Sequence, residues 1–335
     1  MKVVFLTTSY PRGPDDVAGS FVRDAVQGLR EAGVEVEVVS PASVRHYGIA
    51  YGDGIPNNLR RRPWLLAVLP LFLWGFARAA RRAARGADVV HAHWLPSALP
   101  ALATGKPFVL QLWGSDAELA RRAPRLFRPL VRRARVVVGA SEALAEAARA
   151  LGARDVRVIP GGVEIPERVE APQEPSHVLY VGRLSEEKGV RELAQAARGL
   201  PLVVVGDGPL RRVFPDAVGF VPPSEVRAYY QRASIVVCPS RREGFGFAAH
   251  EAMAHGRPVV GTRVGGLVDA IEDGVTGVLV APREPPALRA ALLRLLGDPE
   301  LRRRMGEAAR ARARERFSVE ASTRALKTLY AEVAR

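Results

Sequence analysis

The sequence predicts an α/β protein of two doubly wound, Rossmann-like domains, and three observations carry that prediction. Short apolar runs alternate with longer amphipathic runs along the chain, the pattern of parallel strands joined by helices. The alternation occurs twice, on either side of residues 164–177, whose three prolines and four glutamates read as a linker. At 335 residues the chain is long enough for two full cores.

In the first domain, Lys2 to Thr8 reads as a buried strand, Ser20 to Ala32 as a helix ended by Gly33, and Val34 to Ser40 as the next strand. The loop Ser9 to Gly19 lies at the carboxyl end of strand one, where open α/β sheets place ligands. Residues 63–77 are the most apolar stretch, too short to cross a membrane and interrupted by Pro70. Flanked by arginines, with Trp64 and Trp74 near its ends, it fits either an interfacial amphipathic segment or a core helix. Both hold if one face packs inward. Asp88 to Trp94 is a strand running into a loop, with His91 and His93 on one face. Neither histidine has a Cys, Asp or Glu at metal-supporting spacing, so no metal site is expected there. Lys106 to Trp113 and Val136 to Gly139 are further strands, and Ser141 is placed to cap the helix after the second. Val156 to Ile159, followed by Pro160 to Val163, closes the domain.

The second domain begins with a strand, His177 to Val181, whose exit loop carries Arg183 and Lys188 ahead of a helix from about Val190 to Arg198. Pro201 to Val205 is the next strand, then Gly219 to Val221 a short one, and Ser224 is placed to cap a helix reaching Ala233. Ile235 to Cys238 is a buried strand; after a Gly-Phe-Gly turn, Phe247 to Ala254 reads as a helix. A glycine turn opening a helix after a strand seats anions, because free N–H groups and the helix dipole point at the ligand. Two carboxylates there, Glu243 and Glu251, accept hydrogen bonds only and suit sugar or ribose hydroxyls. Pro258 to Gly261 and Gly277 to Val280 complete the strands, and charged helices follow. The expected boundaries are 1–165 and 166–317.

The lone cysteine, Cys238, rules out a disulfide framework, and the amino terminus lacks the shape of a signal peptide, so a cytoplasmic location is expected. Net charge is +14, and its location is uneven. Residues 60–85 hold seven arginines and no acid, residues 121–135 hold seven more and no acid, and together these equal the whole excess. They are either solvated helix faces or a contact for an anionic partner, such as a phosphate-bearing substrate or the inner face of a membrane. No aromatic-plus-basic strand pattern points to nucleic acid.

The run Glu243-Gly-Phe-Gly-Phe-Ala-Ala-His-Glu251 resembles the Glu-x7-Glu motif of family-4 retaining glycosyltransferases. His91-Ala-His93, Gly114-Ser-Asp116, Gly182-Arg-Leu-Ser-Glu-Glu-Lys-Gly189, Gly206-Asp-Gly-Pro209 and Val264-Gly-Gly266 stand in that family's order, so the resemblance spans nearly the whole chain. It implies the GT-B architecture, two Rossmann-like domains facing across a cleft, with the terminal helix 318–335 crossing back onto domain one. It also implies a UDP- or GDP-linked sugar donor, held mostly by domain two, and a sugar or lipid-linked acceptor. Arg183 and Lys188 are then expected to neutralise the diphosphate, Glu251 to bind the ribose and Glu243 a sugar hydroxyl. Backbone at Phe245, Gly246 and Phe247 would meet sugar and phosphates, and that near Val221 the base. The family's paired glycines near strand one are Ala18-Gly19 here, leaving Gly19 to approach the donor phosphates. His93, with His91 as the alternative, is expected beside the donor sugar, and Trp113, where many relatives carry histidine, with Asp116 on the acceptor side. No Asp-x-Asp metal signature stands in a plausible site, so no metal cofactor is expected. An NDP-sugar epimerase of the same architecture and a non-catalytic polyanion binder are the competing readings.

Overall fold

The structure, a computed structural model, describes residues 1–335 apart from 14, 15, 17 and 52–54 and from the side chains of 56, 57 and 117. Two compact units form, Met1–Ile159 with Ser322–Arg335, and Pro160–Ala321. The expected boundary at 165 moves because Val163 and Ile165 pack into the second unit's core and Val163 bridges Ser318.

The first unit runs β1 (Lys2–Thr7), α1 (Ser20–Glu31), β2 (Glu35–Val39), α2 (Ile55–Arg61), α3 (Leu65–Ala83), β3 (Val89–His93), α4 (Ala98–Ala103), β4 (Phe108–Leu112), α5 (Ser115–Arg122), α6 (Pro124–Arg133), β5 (Val136–Gly139), α7 (Glu142–Ala150) and β6 (Val156–Val158). Its strands form one parallel sheet ordered β2-β1-β3-β4-β5-β6. Every residue of β3, β4 and β5 is buried, as expected of parallel strands covered on both faces. Helix α1 buries Val22, Val26 and Leu29, one stripe at helical spacing. Ser141 caps α7 as expected, its hydroxyl accepting from the Leu144 amide. Pro70 does not interrupt the apolar stretch. Helix α3 continues through it, and because Leu66 and Pro70 are both exposed, solvent can reach the carbonyl that loses its donor. Pro14, Asp15 and Val17 of the expected ligand loop lie outside the described residues.

The second unit runs β7 (Val178–Val181), α8 (Val190–Ala196), β8 (Leu202–Val205), α9 (Pro223–Arg232), β9 (Ile235–Cys238), α10 (Phe247–Ala254), β10 (Val259–Thr262), α11 (Gly266–Ala270), β11 (Gly277–Val280), α12 (Pro285–Gly297) and α13 (Pro299–Arg316), before α14 (Val319–Val333). Its parallel sheet is ordered β11-β10-β9-β7-β8. The strand expected at Gly219–Val221 is a single antiparallel bridge from Gly206 to Gly219, since Pro222 and Pro223 end the ladder. Nor does Ser224 cap α9. The helix starts one residue earlier, at Pro223, whose fixed φ suits a first helical position. From α14, residues 322–335 belong to the first unit, where Leu326, Leu329, Tyr330 and Val333 join the core beside Val22 and Val26.

Strand order reverses at β1/β3 in the first sheet and at β7/β9 in the second. Each switch point lies at the carboxyl ends of its own sheet's strands: His93 ends a strand beside the first, and the loops that carry Arg183, Lys188 and Glu243 leave the strands beside the second.

Candidate active site

In the second unit the loops leaving β7 and β9 are locked together. Gly189 has φ +68°, and a β-carbon there would collide with the carbonyl of Pro239, so only glycine allows the approach. The Arg241 amide donates to Glu187 O at 2.8 Å. The Arg241 guanidinium reaches Glu192 (2.6 Å) and Glu186 (3.1 Å). Tyr180 donates its hydroxyl to the Arg183 carbonyl (2.9 Å), fixing the start of the loop.

This clamp brings together two predicted site residues that are 55 positions apart. Lys188 Nζ lies 2.9 Å and 2.7 Å from the two oxygens of Glu243, and Ser240 Oγ donates to the second oxygen at 3.0 Å. The Lys188 side chain is 29% exposed and that of Glu243 13%, so the pair is shielded yet reachable. Arg183 is exposed on the same loop and has no carboxylate partner among the described residues. Two cations thus face solvent beside a carboxylate, a set able to take up phosphate oxygens and a hydroxyl together.

Glu251, on the second turn of α10, accepts from the Tyr230 hydroxyl at 2.8 Å. Tyr230 is buried and stacked on His255, so it fixes that carboxylate while itself held well above the usual phenol pKa by burial and by the glutamate charge. Phe245 is buried against His250, ring centroids 3.9 Å apart. His250 Nδ1 donates to Gly246 O at 2.9 Å, and burial lowers its pKa to about 4, leaving a neutral ring under the turn that opens α10. Phe247 and Val221 are half-buried, and Val221 packs on the core beside Val226. Cys238 is buried, its thiol pushed up to about 12 by desolvation, as befits an inert thiol.

In the first unit His93 ends β3, opposite Thr7 of β1. The ring is buried and stacked on Trp113, whose indole N–H donates to His93 Nδ1 at 3.1 Å. That bond puts the ring proton on Nε2, a buried donor with no partner among the described residues. Burial and the neighbouring His91 push its pKa well down, so the ring is neutral. His91 is likewise neutral, lowered to about 3 by burial, and its Nδ1 lies 2.6 Å from the Tyr330 hydroxyl.

One expectation changes here. Asp116 does not present its carboxylate to an acceptor. It is buried, accepts from the Leu95 and Trp113 amides at 2.7 and 2.8 Å, and joins the loops after β3 and β4; burial raises its pKa to about 6 against the pull of those amides. Gly19 (φ +73°) is required by the backbone itself, since a β-carbon would strike the Ser9 carbonyl. Sequence reasoning also missed several residues. Tyr230 and the Arg241 clamp act through contacts distant in sequence, which nothing local marks, whereas Ser240 bonds Glu243 only three residues on and stood within reach of a local reading. Trp94 adopts φ +64°, costly for a bulky side chain and held by its amide's bond to Gln111 O and by ring contacts with Phe21 and Trp113. Among the described residues no group of three or more His, Cys, Asp or Glu could hold a metal ion.

Comparison with known proteins assigns the chain. Residues 163–312 match the family described as glycosyl transferases group 1, and residues 18–166 match glycosyltransferase family 4. The chain is 31% identical to TuaC of Bacillus subtilis, named for teichuronic acid biosynthesis, over 88% of this chain and 89% of that protein. It is 30% identical to a D-inositol 3-phosphate glycosyltransferase of Pseudarthrobacter chlorophenolicus over 90% and 87%. Among solved structures, sucrose-phosphate synthase of Thermosynechococcus elongatus superposes with a TM-score of 0.83 at 23% identity, covering 99% of both chains. Anabaena HepE, solved with UDP-glucose, superposes at 0.77 with 21% identity over 99% and 100%. With both halves matched in order and relatives at least 30% identical over most of both chains, the chain belongs to the family-4 glycosyltransferases, sugar-transferring enzymes of the GT-B fold.

Proposed function

We propose that this enzyme transfers a hexose from a nucleotide sugar to an acceptor hydroxyl with retention of anomeric configuration. The observation that carries the reading is the Lys188–Glu243 pair at the second sheet's switch point, with exposed Arg183 on the same loop and Glu251 held by Tyr230. Arg183 and Lys188 take the diphosphate and stabilise the charge that builds as it leaves, so the reaction proceeds without a metal. Glu251 binds the ribose hydroxyls, Glu243 a sugar hydroxyl, and backbone at Phe245, Gly246 and Phe247 meets the sugar and phosphates. The base lies along the backbone near Val221, and Gly19 approaches the phosphates. His93, neutral and donating from Nε2, orients the sugar and shields developing positive charge. No residue stands out as a nucleophile, and the departing phosphate takes the acceptor's proton in a front-side displacement. HepE, seen with UDP-glucose on this fold, supports a nucleotide-sugar donor. TuaC, named for teichuronic acid biosynthesis, supports an acceptor in envelope or exopolysaccharide synthesis; the arginine-rich first unit suits one that is lipid-linked or phosphate-bearing, at the cytoplasmic side.

The test is a thermal-shift screen against UDP, GDP, ADP and their hexose conjugates with EDTA present. A ligand at about 100 times its Kd stabilises by roughly 2.7 kcal/mol. One nucleotide standing out, and lost in Arg183→Ala, supports the reading; no response to any of them overturns it.

A further inference from the structure

Both acid-free arginine clusters lie on one side of the first unit. The connections β2-α3-β3, β3-α4-β4 and β4-α5-α6-β5 all step in the same direction across the sheet, so right-handed crossovers put α3, α4 and α6 on one face. The connection through α1 steps the other way and lies on the opposite face. Helix α4 packs against both α3 and α6, which places the two clusters on either side of it.

Helix α3 divides its surface cleanly. Leu65, Phe72, Phe76, Ala80 and Ala83 are buried. On the opposite stripe, Trp64 (62% exposed), Leu71 and Trp74 (66%) occupy the first half, and Arg78, Arg81, Arg82 and Arg85 the second. Arg78 lies over the Trp74 ring, 5.8 Å from its centroid. Trp74, Ala77 and the four arginines line a cavity of about 270 Å³. Across α4, with its exposed Leu99, helix α6 adds exposed Leu126, Arg125, Arg128 and Arg133. Other arginines find carboxylates, two of the second cluster among them: Arg121 and Arg122 bind Glu118, while Arg149 binds Glu142 and Arg303 binds Glu300. Among the described residues Arg78, Arg81, Arg82, Arg85, Arg125, Arg128 and Arg133 bind none. Indole rings and leucines beside arginines that bind no carboxylate, Arg81 giving its Nε–H to the Ala103 carbonyl, match the two layers of a bilayer surface, acyl boundary and anionic headgroup.

We infer that this face docks on an anionic lipid bilayer, with Trp64, Leu71 and Trp74 entering the interface and the arginines of α3 and α6 contacting lipid phosphates. No helix of the described residues is long and apolar enough to cross a membrane, so the contact is peripheral. The inference is independent of the donor reading.

Flotation of the full-length protein with vesicles of phosphatidylcholine, alone or mixed with phosphatidylglycerol, tests it. Binding is expected only to the anionic vesicles, weakened by salt, with a blue shift of tryptophan emission. A basic residue near such a surface contributes about fivefold, so Arg78→Glu, Arg82→Glu and Arg85→Glu together should lower partitioning by a hundredfold or more. Trp64→Ser with Trp74→Ser should lose the blue shift while leaving weaker, salt-sensitive binding. An unchanged thermal midpoint and an unchanged nucleotide response show that the variants are folded and keep the second unit's site separate. Three results overturn the inference: equal binding to neutral vesicles, undiminished partitioning of the triple variant, or binding to heparin with none to vesicles.

Discussion

Glu243→Gln should separate nucleotide binding from transfer. In the structure the Glu243 carboxylate occupies Lys188, at 2.7 and 2.9 Å. At an effective dielectric near 20 such a pair attracts by about 6 kcal/mol. Desolvation and side-chain ordering cancel most of that, and a pair this shielded retains roughly 1–3 kcal/mol. A diphosphate that recruits Lys188 must first displace Glu243. The amide removes the competing charge, so nucleoside diphosphate should bind roughly 5- to 100-fold tighter, the same energy read as affinity. The unliganded variant should melt lower by about 2–4 °C per kcal/mol lost. Transfer should nevertheless fall by about ten- to a hundredfold, because a neutral amide oxygen holds the sugar hydroxyl less strongly than a carboxylate does. Titration calorimetry with the nucleoside diphosphate, beside initial rates with the intact donor, reads both effects. Nucleotide binding weakened as in Lys188→Ala would place Glu243 on the nucleotide instead, and transfer within threefold of wild type would remove it from the reaction.

Tyr230→Phe deletes the hydroxyl that orients Glu251; it should raise the donor KM several-fold with kcat nearly unchanged and cost about 1 kcal/mol in urea unfolding. Gly19→Ala should lower the thermal midpoint by several degrees, from roughly 1–3 kcal/mol of backbone strain, whereas a midpoint at the wild-type value would leave only a ligand role for this glycine. Acid should destabilise the fold through its buried histidines. His91 and His250 have folded pKa values of about 3 and about 4, below their ordinary 6.5, so the stability they contribute is fully present above pH 6.5 and is lost as pH falls toward those values. Each loses about 1.4 kcal/mol per pH unit in that window, and chemical denaturation between pH 7 and 4.5 should show it, with a shallower slope in His250→Gln.

The second unit was the more legible half. Most of its strands and its exit loops follow from local pattern, and the Arg183, Lys188, Glu243 and Glu251 set was singled out by that pattern together with the family resemblance. What joins those loops was hidden. Gly189 against Pro239, and Arg241 against Glu192, are contacts between segments about 50 residues apart, and no local spacing encodes them. The first unit yielded less for the same reason. Its His93 environment is built by Phe5, Trp113 and the strained Trp94, brought together only by strand order. The α3 stretch had two readings in sequence, core helix and interfacial segment. The structure supplies the inward face of the first and the exposed aromatic stripe that the second requires.

Asp116 and Glu243 show why motif membership alone did not decide a role. Both are acids in loops after parallel strands, both fall in family-like runs, and both carboxylates are satisfied. The partners differ. Asp116 is satisfied by the backbone amides of Leu95 and Trp113, which cannot leave without opening the loops they belong to. Glu243 is satisfied by an ammonium on a flexible four-carbon stem, 29% exposed, and by a serine hydroxyl that can rotate. A ligand can therefore exchange with the partners of Glu243 at the cost of one side-chain movement, but with those of Asp116 only by local unfolding. Replaceability of the partner, rather than residue type or position in a motif, is what separates a binding carboxylate from a structural one.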